Sequence, residues 1–282
     1  MSRFTSFRAG GCADLLVTTE DESDLCAVLK VLAEEDHPHM ILGRGTNVLV
    51  RDGGYRGVMV RLGEGFQSIE KTGDTLVCGG GALLSAVAKK ACDEGLCGFE
   101  FASGIPGSIG GAVFMNAGAY DGEMAQVLRS VRLVSADGAA VEETDPKALE
   151  LGYRTSRIQK TGQIVSGAVI GLSEGDQEES REKMSELMSR RNAKQPVNLP
   201  SAGSFFKRPE GYYAGKLIEE AGLGGLTVGG AQVSELHKGF IVNRGEATAA
   251  DILQLMDIVK ATVLEKSGVM LEPEVRIVGE DK

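Results

Sequence analysis

The chain has 282 residues, 42% of them hydrophobic, with 39 glycines, no tryptophan and a mean hydropathy of −0.05, so it can bury a large core and build two or three compact units. Thirty basic and 40 acidic side chains leave a net charge of −10 with no long block of like charge, which argues against a nucleic-acid backbone or an anionic membrane surface as partner. Five cysteines without a C-x-x-C pair and three histidines (His37, His39 and His237) suggest neither a disulfide framework nor a metal set; reduced, mostly buried thiols are expected.

The opening MSRFTSFRAGG lacks the apolar core of an export signal, and no apolar run approaches the ~18 residues of a membrane span, so a cytoplasmic location without membrane insertion is expected. Leu25, Val28, Leu29 and Leu32 fall at i, i+3, i+4 and i+7 behind Asp21-Glu22 and predict a helix with one buried stripe. His39–Val50 and Gly57–Leu62 read as strand, turn and strand, the turn being Gly43-Arg44-Gly45-Thr46-Asn47. Leu83, Leu84, Val87 and Ala91 predict a second helix that stops near Gly95. Val131–Val134, followed by Ala136-Asp137-Gly138, predicts a hairpin, and short strands continue to Leu172. Charged residues then crowd Glu174–Arg191 before Pro196 and Pro200 break the pattern. That shift divides the chain into a region 1–175, with subdomains of about 1–60 and 61–175, a charged helix and linker over 176–200, and an αββαβ-like region 201–282. In the last region Thr248 and Asp251 form a capping box for a helix bearing Ile252, Leu255, Met256, Val259 and Val263 and ending at Gly268.

Ser103–Gly118, SGIPGSIGGAVFMNAG, places Gly104, Gly107, Gly110, Gly111 and Gly118 around a short apolar run. Glycine lets bare backbone approach a ligand, Ser108 is placed to cap a helix, and the N–H groups of a helix start attract anions. Such glycines also let a helix pack closely on a sheet; the second Gly/Asn turn at Gly43–Asn47, about 60 residues upstream, favours a bound nucleotide. No G-x-G-x-x-G, G-x-x-x-x-G-K-[ST], H-E-x-x-H or G-x-S-x-G is present, which removes the common dinucleotide, phosphate-loop and hydrolase signatures. In Ser201–Pro209, Ser204 follows Gly203 and precedes Lys207 and Arg208, a hydroxyl donor beside cations suited to an anionic substrate, or a capped turn beside a solvated pair. Glu274 and Arg276 would share one face of a predicted strand Leu271–Ile277, as site residues or as an ion pair.

Seven blocks in order, TSFRAGG, GRGTNVLV, SGIPGSIGGAVFMNAGAYDGE, YRTSRIQ, PSAGSFFKRP, VGGAQVSELHKGFIVN and LEPEVRIVG, resemble the UDP-N-acetylenolpyruvoylglucosamine reductase family over nearly the whole chain. The resemblance implies an α+β architecture: an FAD-binding domain of the vanillyl-alcohol oxidase/PCMH type followed by a smaller α+β substrate-binding domain. It implies non-covalent FAD, NADPH as hydride donor, an enolpyruvyl sugar nucleotide as substrate and a role in peptidoglycan precursor synthesis. Catalytic roles fall on Arg154, Ser204 and Glu274: Arg154 and Glu274 would stabilise charge on the enolpyruvyl carboxylate side as hydride reaches C3, and Ser204 would deliver a proton to C2. Flavin contacts fall on Gly43, Gly45, Thr46, Asn47, Ser103, Gly104, Ile105, Pro106, Gly107, Ser108, Gly110, Gly111, Asn116 and Arg276. Tyr153, Lys207, Arg208, His237 and Asn243 are expected around the substrate, with Arg191 and Lys194 near its diphosphate. Only 50 residues separate Arg154 from Ser204 (204 − 154), which resembles the subgroup without a substrate-covering tyrosine loop. A monomer or weak oligomer is expected. Another FAD-dependent oxidase of the same flavin fold, or a non-catalytic nucleotide sensor, are the competing readings.

Overall fold

A computed structural model describes residues 1–282. Its backbone falls into two units that alternate along the chain: Leu16–Arg44 with Val58–Arg190 form a central unit, and Met1–Leu15, Gly45–Gly57 and Arg191–Lys282 form a carboxy-terminal unit.

In the central unit the apolar spacing produces the expected helix, Glu22–Glu34, whose N-cap Asp21 accepts the Asp24 N–H at 2.8 Å. Its stripe of Leu25, Leu29 and Leu32 is buried against Val58, Val60, Val134 and Ile164, each leucine taken out of water contributing about 2 kcal/mol. Val28 packs at the edge of the same cluster. Beside it, His39–Ile41 pairs in parallel with Val58–Val60 of the strand Tyr55–Leu62. The main sheet has five antiparallel strands in the order Val141–Thr144, Leu128–Val134, Ile164–Gly171, Thr75–Gly79, Ile69–Thr72. The predicted hairpin is present with Val134 opposite Val141, and its turn needs Gly138: φ is +69° and a Cβ would lie 2.3 Å from the Cys26 carbonyl oxygen. A second helix, Leu84–Asp93, buries Leu84, Val87, Ala88 and Ala91, and Gly95 follows it in the left-handed region. The main core surrounds these elements with Leu76, Val131, Leu133, Val165 and Ile170.

The charged helix runs Gln177–Lys194, within the expected 176–200, and Asp176 starts it by accepting the Glu178 and Glu179 N–H groups at 2.7 and 2.9 Å. It buries only Ser180 and Leu187, rests Met184 on the main core and is otherwise mostly polar. Of the five cysteines only Cys78 and Cys92 are buried; Cys12 is exposed and Cys26 and Cys97 are half-buried, so burial of the thiols is less general than expected.

The carboxy-terminal unit centres on the helix Ala249–Ser267. Thr248 and Asp251 form the expected capping box, Asp52 accepts the Ala249 and Ala250 N–H groups at 3.0 and 2.8 Å, and Gly268 closes the helix at φ +71°. Ile252, Leu255, Met256, Val259 and Val263 are buried against the antiparallel strands Thr227–Val228, Ala231–Val233 and Ile241–Asn243 and the helix Ala214–Glu220. Three strands stand where two were expected, since a two-residue strand gives no alternation to read. Arg276–Val278 pairs in parallel with Val48–Val50, Arg276 opposite Val48. The predicted strand from Leu271 therefore shortens to Arg276–Val278 and leaves Glu274 in the run before it. No helix is long and apolar enough to cross a membrane.

Candidate functional site

Within the central unit, a single 3-10 turn, Glu100–Ala102, leads into Ser103, which is buried and whose Oγ has no hydrogen-bond partner. An orphaned buried hydroxyl costs free energy unless a further group completes the site. Gly104, Ile105 and the exposed Pro106 follow, and the Gly107 carbonyl accepts the Leu84 N–H at 3.1 Å. Ser108 occupies the N-cap of the helix Ile109–Met115, but its side chain makes no capping bond. The helix start does not offer a free row of N–H groups: Ile109 donates to the Ala82 carbonyl at 2.9 Å and Gly110 to the Gly80 carbonyl at 2.8 Å. A Cβ on Gly110 would sit 3.1 Å from the Gly80 oxygen and 3.2 Å from that of Val165, so this glycine lets the helix lie against the sheet. Gly111 differs: it is exposed, and a Cβ there would meet nothing nearer than the Ser108 Oγ at 3.7 Å. Gly43 comes to the same place, its missing Cβ lying 3.1 Å from the Ser108 Oγ. The two Gly-rich segments thus meet at the Ser108 hydroxyl.

Asn116 ends that helix in the left-handed region (φ 41°) and is buried. Its Oδ1 accepts the Ala125 N–H at 2.9 Å and its Nδ2 donates to the Gly152 carbonyl at 3.1 Å. Gly152 and Thr155 exchange backbone hydrogen bonds of 3.1 and 3.2 Å around Tyr153-Arg154, forcing Arg154 to φ 55°, a conformation costly for a side chain with a Cβ. The Arg154 Nη2 donates to the Gly118 carbonyl at 3.2 Å, and its guanidinium carbon lies 5.2 Å from the centroid of the exposed Tyr153 ring.

Within the carboxy-terminal unit the Ser204 and Glu274 segments run side by side. The Glu274 N–H donates to the Phe205 carbonyl at 2.8 Å, the Lys207 N–H to the Glu272 carbonyl at 2.9 Å, and Phe206 bridges to Pro273. On the other edge Ser204 bridges to Phe240, and the Phe205 N–H donates to the Gly239 carbonyl at 2.8 Å. Phe205 and Phe206, both buried, fix this segment from its two faces, and Gly203 precedes Ser204 at φ +77°. Asn47 joins the group: its Nδ2 donates to the Glu274 carbonyl at 3.2 Å, while its own carbonyl accepts the Arg276 N–H at 3.1 Å. Gly45, two residues earlier, has φ +64° and no room for a Cβ, which would lie 2.1 Å from the Phe4 carbonyl oxygen. Thr46 lies between these two residues. His237 stacks edge-on to Phe240 at 4.9 Å and accepts the Gly239 N–H at Nδ1; burial lowers its pKa below the usual imidazole value. Lys207 pairs with Glu272 at 3.4 Å, and the Arg208 guanidinium carbon sits 4.6 Å from the Tyr213 ring centroid. Asn243 is buried with its amide bonded to the Phe7 carbonyl and the Gly245 and Ala247 N–H groups, an architectural position. Arg191 and Lys194 stand in the last turn of the charged helix.

Of the expected catalytic trio, then, Ser204 and Glu274 are adjacent in one unit and Arg154 belongs to the other. Sequence reasoning passed over Glu100, a buried carboxylate holding the Gly98 N–H, the Ser180 hydroxyl (2.9 Å) and Lys183 (3.5 Å). One charge inside the apolar run LCGFEFA was its signal.

Residues 13–144 match the model of an FAD binding domain, and residues 195–278 match that of UDP-N-acetylenolpyruvoylglucosamine reductase, C-terminal domain. The chain is 52% identical over 281 residues to the UDP-N-acetylenolpyruvoylglucosamine reductase of Clostridioides difficile (strain 630), covering 100% of this chain and 92% of that protein. It is 50% identical, with the same coverage, to the one from Alkaliphilus oremlandii (strain OhILAs). A crystal structure of UDP-N-acetylenolpyruvylglucosamine reductase from Thermus caldophilus superposes with a TM-score of 0.86 at 38% identity, over 99% of this chain and 97% of that one.

Proposed function

Because the chain belongs to the UDP-N-acetylenolpyruvoylglucosamine reductase family, we propose that it reduces UDP-N-acetylglucosamine enolpyruvate to UDP-N-acetylmuramate with electrons from NADPH, as an FAD-containing oxidoreductase of peptidoglycan precursor synthesis. FAD, when bound, supplies the two-electron carrier between NADPH and the enolpyruvyl double bond. The residues present fit it: the Ser103 Oγ is buried without a partner, Gly43 meets the Ser108 hydroxyl, and Gly111 leaves an open face. Gly104, Ile105, Pro106 and Gly107 of the central unit and Gly45, Thr46, Asn47 and Arg276 of the carboxy-terminal unit are the further residues proposed for the flavin.

The observation that supports the catalytic assignment is the backbone pairing of the Ser204 and Glu274 segments, which puts a residue with a hydroxyl and one with a carboxyl group on neighbouring stretches of backbone. Ser204 gives its hydroxyl proton to C2 of the enolpyruvyl group. The Arg154 guanidinium holds the carboxylate through charge-assisted hydrogen bonds, and Glu274, in its protonated form, donates a hydrogen bond as negative charge builds. Tyr153, Lys207, Arg208 and His237 surround the sugar nucleotide, with Arg191 and Lys194 toward its diphosphate. The chain joins the subgroup without the tyrosine loop, the interval between Arg154 and Ser204 being filled by the strand Ile164–Gly171 and the charged helix. A cytoplasmic monomer or weak oligomer serving cell-wall synthesis, and through it cell shape and division, completes the proposal. Rapid mixing of the two half-reactions tests the Ser204 role. Ser204→Ala is expected to be bleached by NADPH at close to the normal rate, and its reoxidation by the enolpyruvyl sugar nucleotide to slow by roughly 10²–10⁴-fold. Equal slowing of both steps, or no slowing of the second, removes Ser204 from the chemistry.

A further inference from the structure

The charged helix Gln177–Lys194 buries almost nothing of its own, yet two of its residues hold a distant turn. Gly118–Ala119 and Gly122–Glu123 pair as a minimal antiparallel hairpin, Gly118 opposite Glu123 and Ala119 opposite Gly122. Its tip, Tyr120-Asp121, has φ 52° and 67°, the strained two-residue turn that glycine and asparagine usually fill. A non-glycine pair persists there only when its surroundings over-determine it. Tyr120 provides that fixation: its hydroxyl donates to the Leu187 carbonyl at 3.2 Å, and the Arg190 guanidinium carbon lies 5.3 Å from its ring centroid. On the opposite flank Gly122 presses on Phe101, where a Cβ would come within 2.4 Å of the ring. The base of the same hairpin carries the Gly118 carbonyl, which accepts the Arg154 Nη2 hydrogen bond at 3.2 Å.

We propose that Tyr120 is a positioning residue for Arg154, fixing through the six-residue hairpin the carbonyl that aims the guanidinium, with Leu187 and Arg190 of the charged helix as its anchor. This rests on the reading of Arg154 as the group that holds the enolpyruvyl carboxylate. Removal of the clasp leaves Arg154 present but poorly aimed, and misplacement by about 1 Å can cost up to roughly 10²-fold in rate.

The test is a double-mutant cycle on the FAD-loaded protein, with the NADPH and enolpyruvyl half-reactions followed separately by rapid mixing. At saturating sugar nucleotide, Tyr120→Ala is expected to slow the enolpyruvyl half-reaction about tenfold, a part of the roughly 10²-fold that a full 1 Å misplacement can cost, and Arg190→Ala to do so more weakly. Tyr120→Phe, which keeps the ring on Arg190, should retain most of the rate. NADPH bleaching should be unchanged, and in an Arg154→Ala background Tyr120→Ala should slow nothing further, because the group it aims is gone. A Tyr120→Ala factor that persists in the Arg154→Ala background, or that slows both half-reactions alike, would overturn the positioning role. An Arg154→Ala protein that works at the wild-type rate would instead remove the reading of Arg154 itself. If Tyr120→Ala fails to fold, Arg190→Ala carries the same cycle, its smaller slowing expected to vanish in the Arg154→Ala background.

Discussion

Gly110 and Gly111 are consecutive residues of one short helix and separate the two uses of a Gly-rich segment. At Gly111 an added Cβ meets nothing nearer than 3.7 Å, so alanine there removes backbone freedom from the unfolded chain and stabilises the apoprotein by about 0.5–1 kcal/mol. For a chain of this size that corresponds to an increase of roughly 1–3 °C in melting temperature. At Gly110 the same methyl meets backbone oxygens at 3.1 and 3.2 Å, and the branched side chain of valine overpacks the helix–sheet contact by about 1–3 kcal/mol. Differential scanning fluorimetry of stripped protein measures these effects, and titration with FAD measures the other consequence. Gly111→Ala is expected to lose at least about tenfold in FAD affinity, or ~1.4 kcal/mol, while its apoprotein is as stable as the wild type or more so. Gly110→Val should lose stability first and FAD only through it. Unchanged FAD affinity in Gly111→Ala would refute the bare-backbone approach at that residue.

Arg154→Gly relieves about 1 kcal/mol of left-handed strain while losing a hydrogen bond of similar worth, so its melting temperature should stay within a few degrees of wild type as turnover falls by about 10² or more; a large thermal loss with normal turnover per folded molecule would make Arg154 a structural residue. Glu100→Ala leaves the buried Ser180 hydroxyl unpaired, while the exposed Gly98 N–H can turn to water, and should cost about 1–3 kcal/mol in urea melts. Burial pushes the Glu100 carboxyl up, but the Gly98, Ser180 and Lys183 interactions outweigh it and hold its pKa below the usual value. Its contribution is therefore complete at neutral pH and lost as pH falls through that depressed pKa, and Glu100→Gln should flatten the acid limb of the stability curve. His237 has a lowered pKa because it is buried, so the unfolded chain takes up a proton that the native state resists; stability is full above the ordinary value of 6.5 and declines as pH falls below it. Wild-type protein should lose more stability over that interval than His237→Gln.

Signals confined to one element were legible. The stripe Leu25, Leu29 and Leu32, the Thr248–Asp251 capping box, the Gly268 stop and the turn at Gly138 each depend on neighbours within a few residues, and each stands where spacing puts it. Pairing between distant segments was not: Val48–Val50 and Arg276–Val278 form a parallel pair without any local turn to announce it, and the run His39–Val50 divides between two units. The Gly-rich segment was legible as a place where backbone approaches something. Composition could not tell that for Gly110 the partner is the sheet, since a missing Cβ serves a carbonyl oxygen and a ligand equally well. The family resemblance put Asn116 at the flavin and Asn243 at the substrate, and the structure gives both amides to backbone groups. Ser204 and Glu274 were found as motifs, whereas their adjacency needed the three-dimensional pairing of their segments.

An anaerobic titration followed by absorbance tests the flavoenzyme reading most directly. The purified protein should be yellow, NADPH should bleach it stoichiometrically, and UDP-N-acetylglucosamine enolpyruvate should then restore the oxidised spectrum as UDP-N-acetylmuramate appears. A protein that neither carries nor takes up FAD, or one whose NADPH-bleached spectrum returns with oxygen but not with the enolpyruvyl sugar nucleotide, would contradict it.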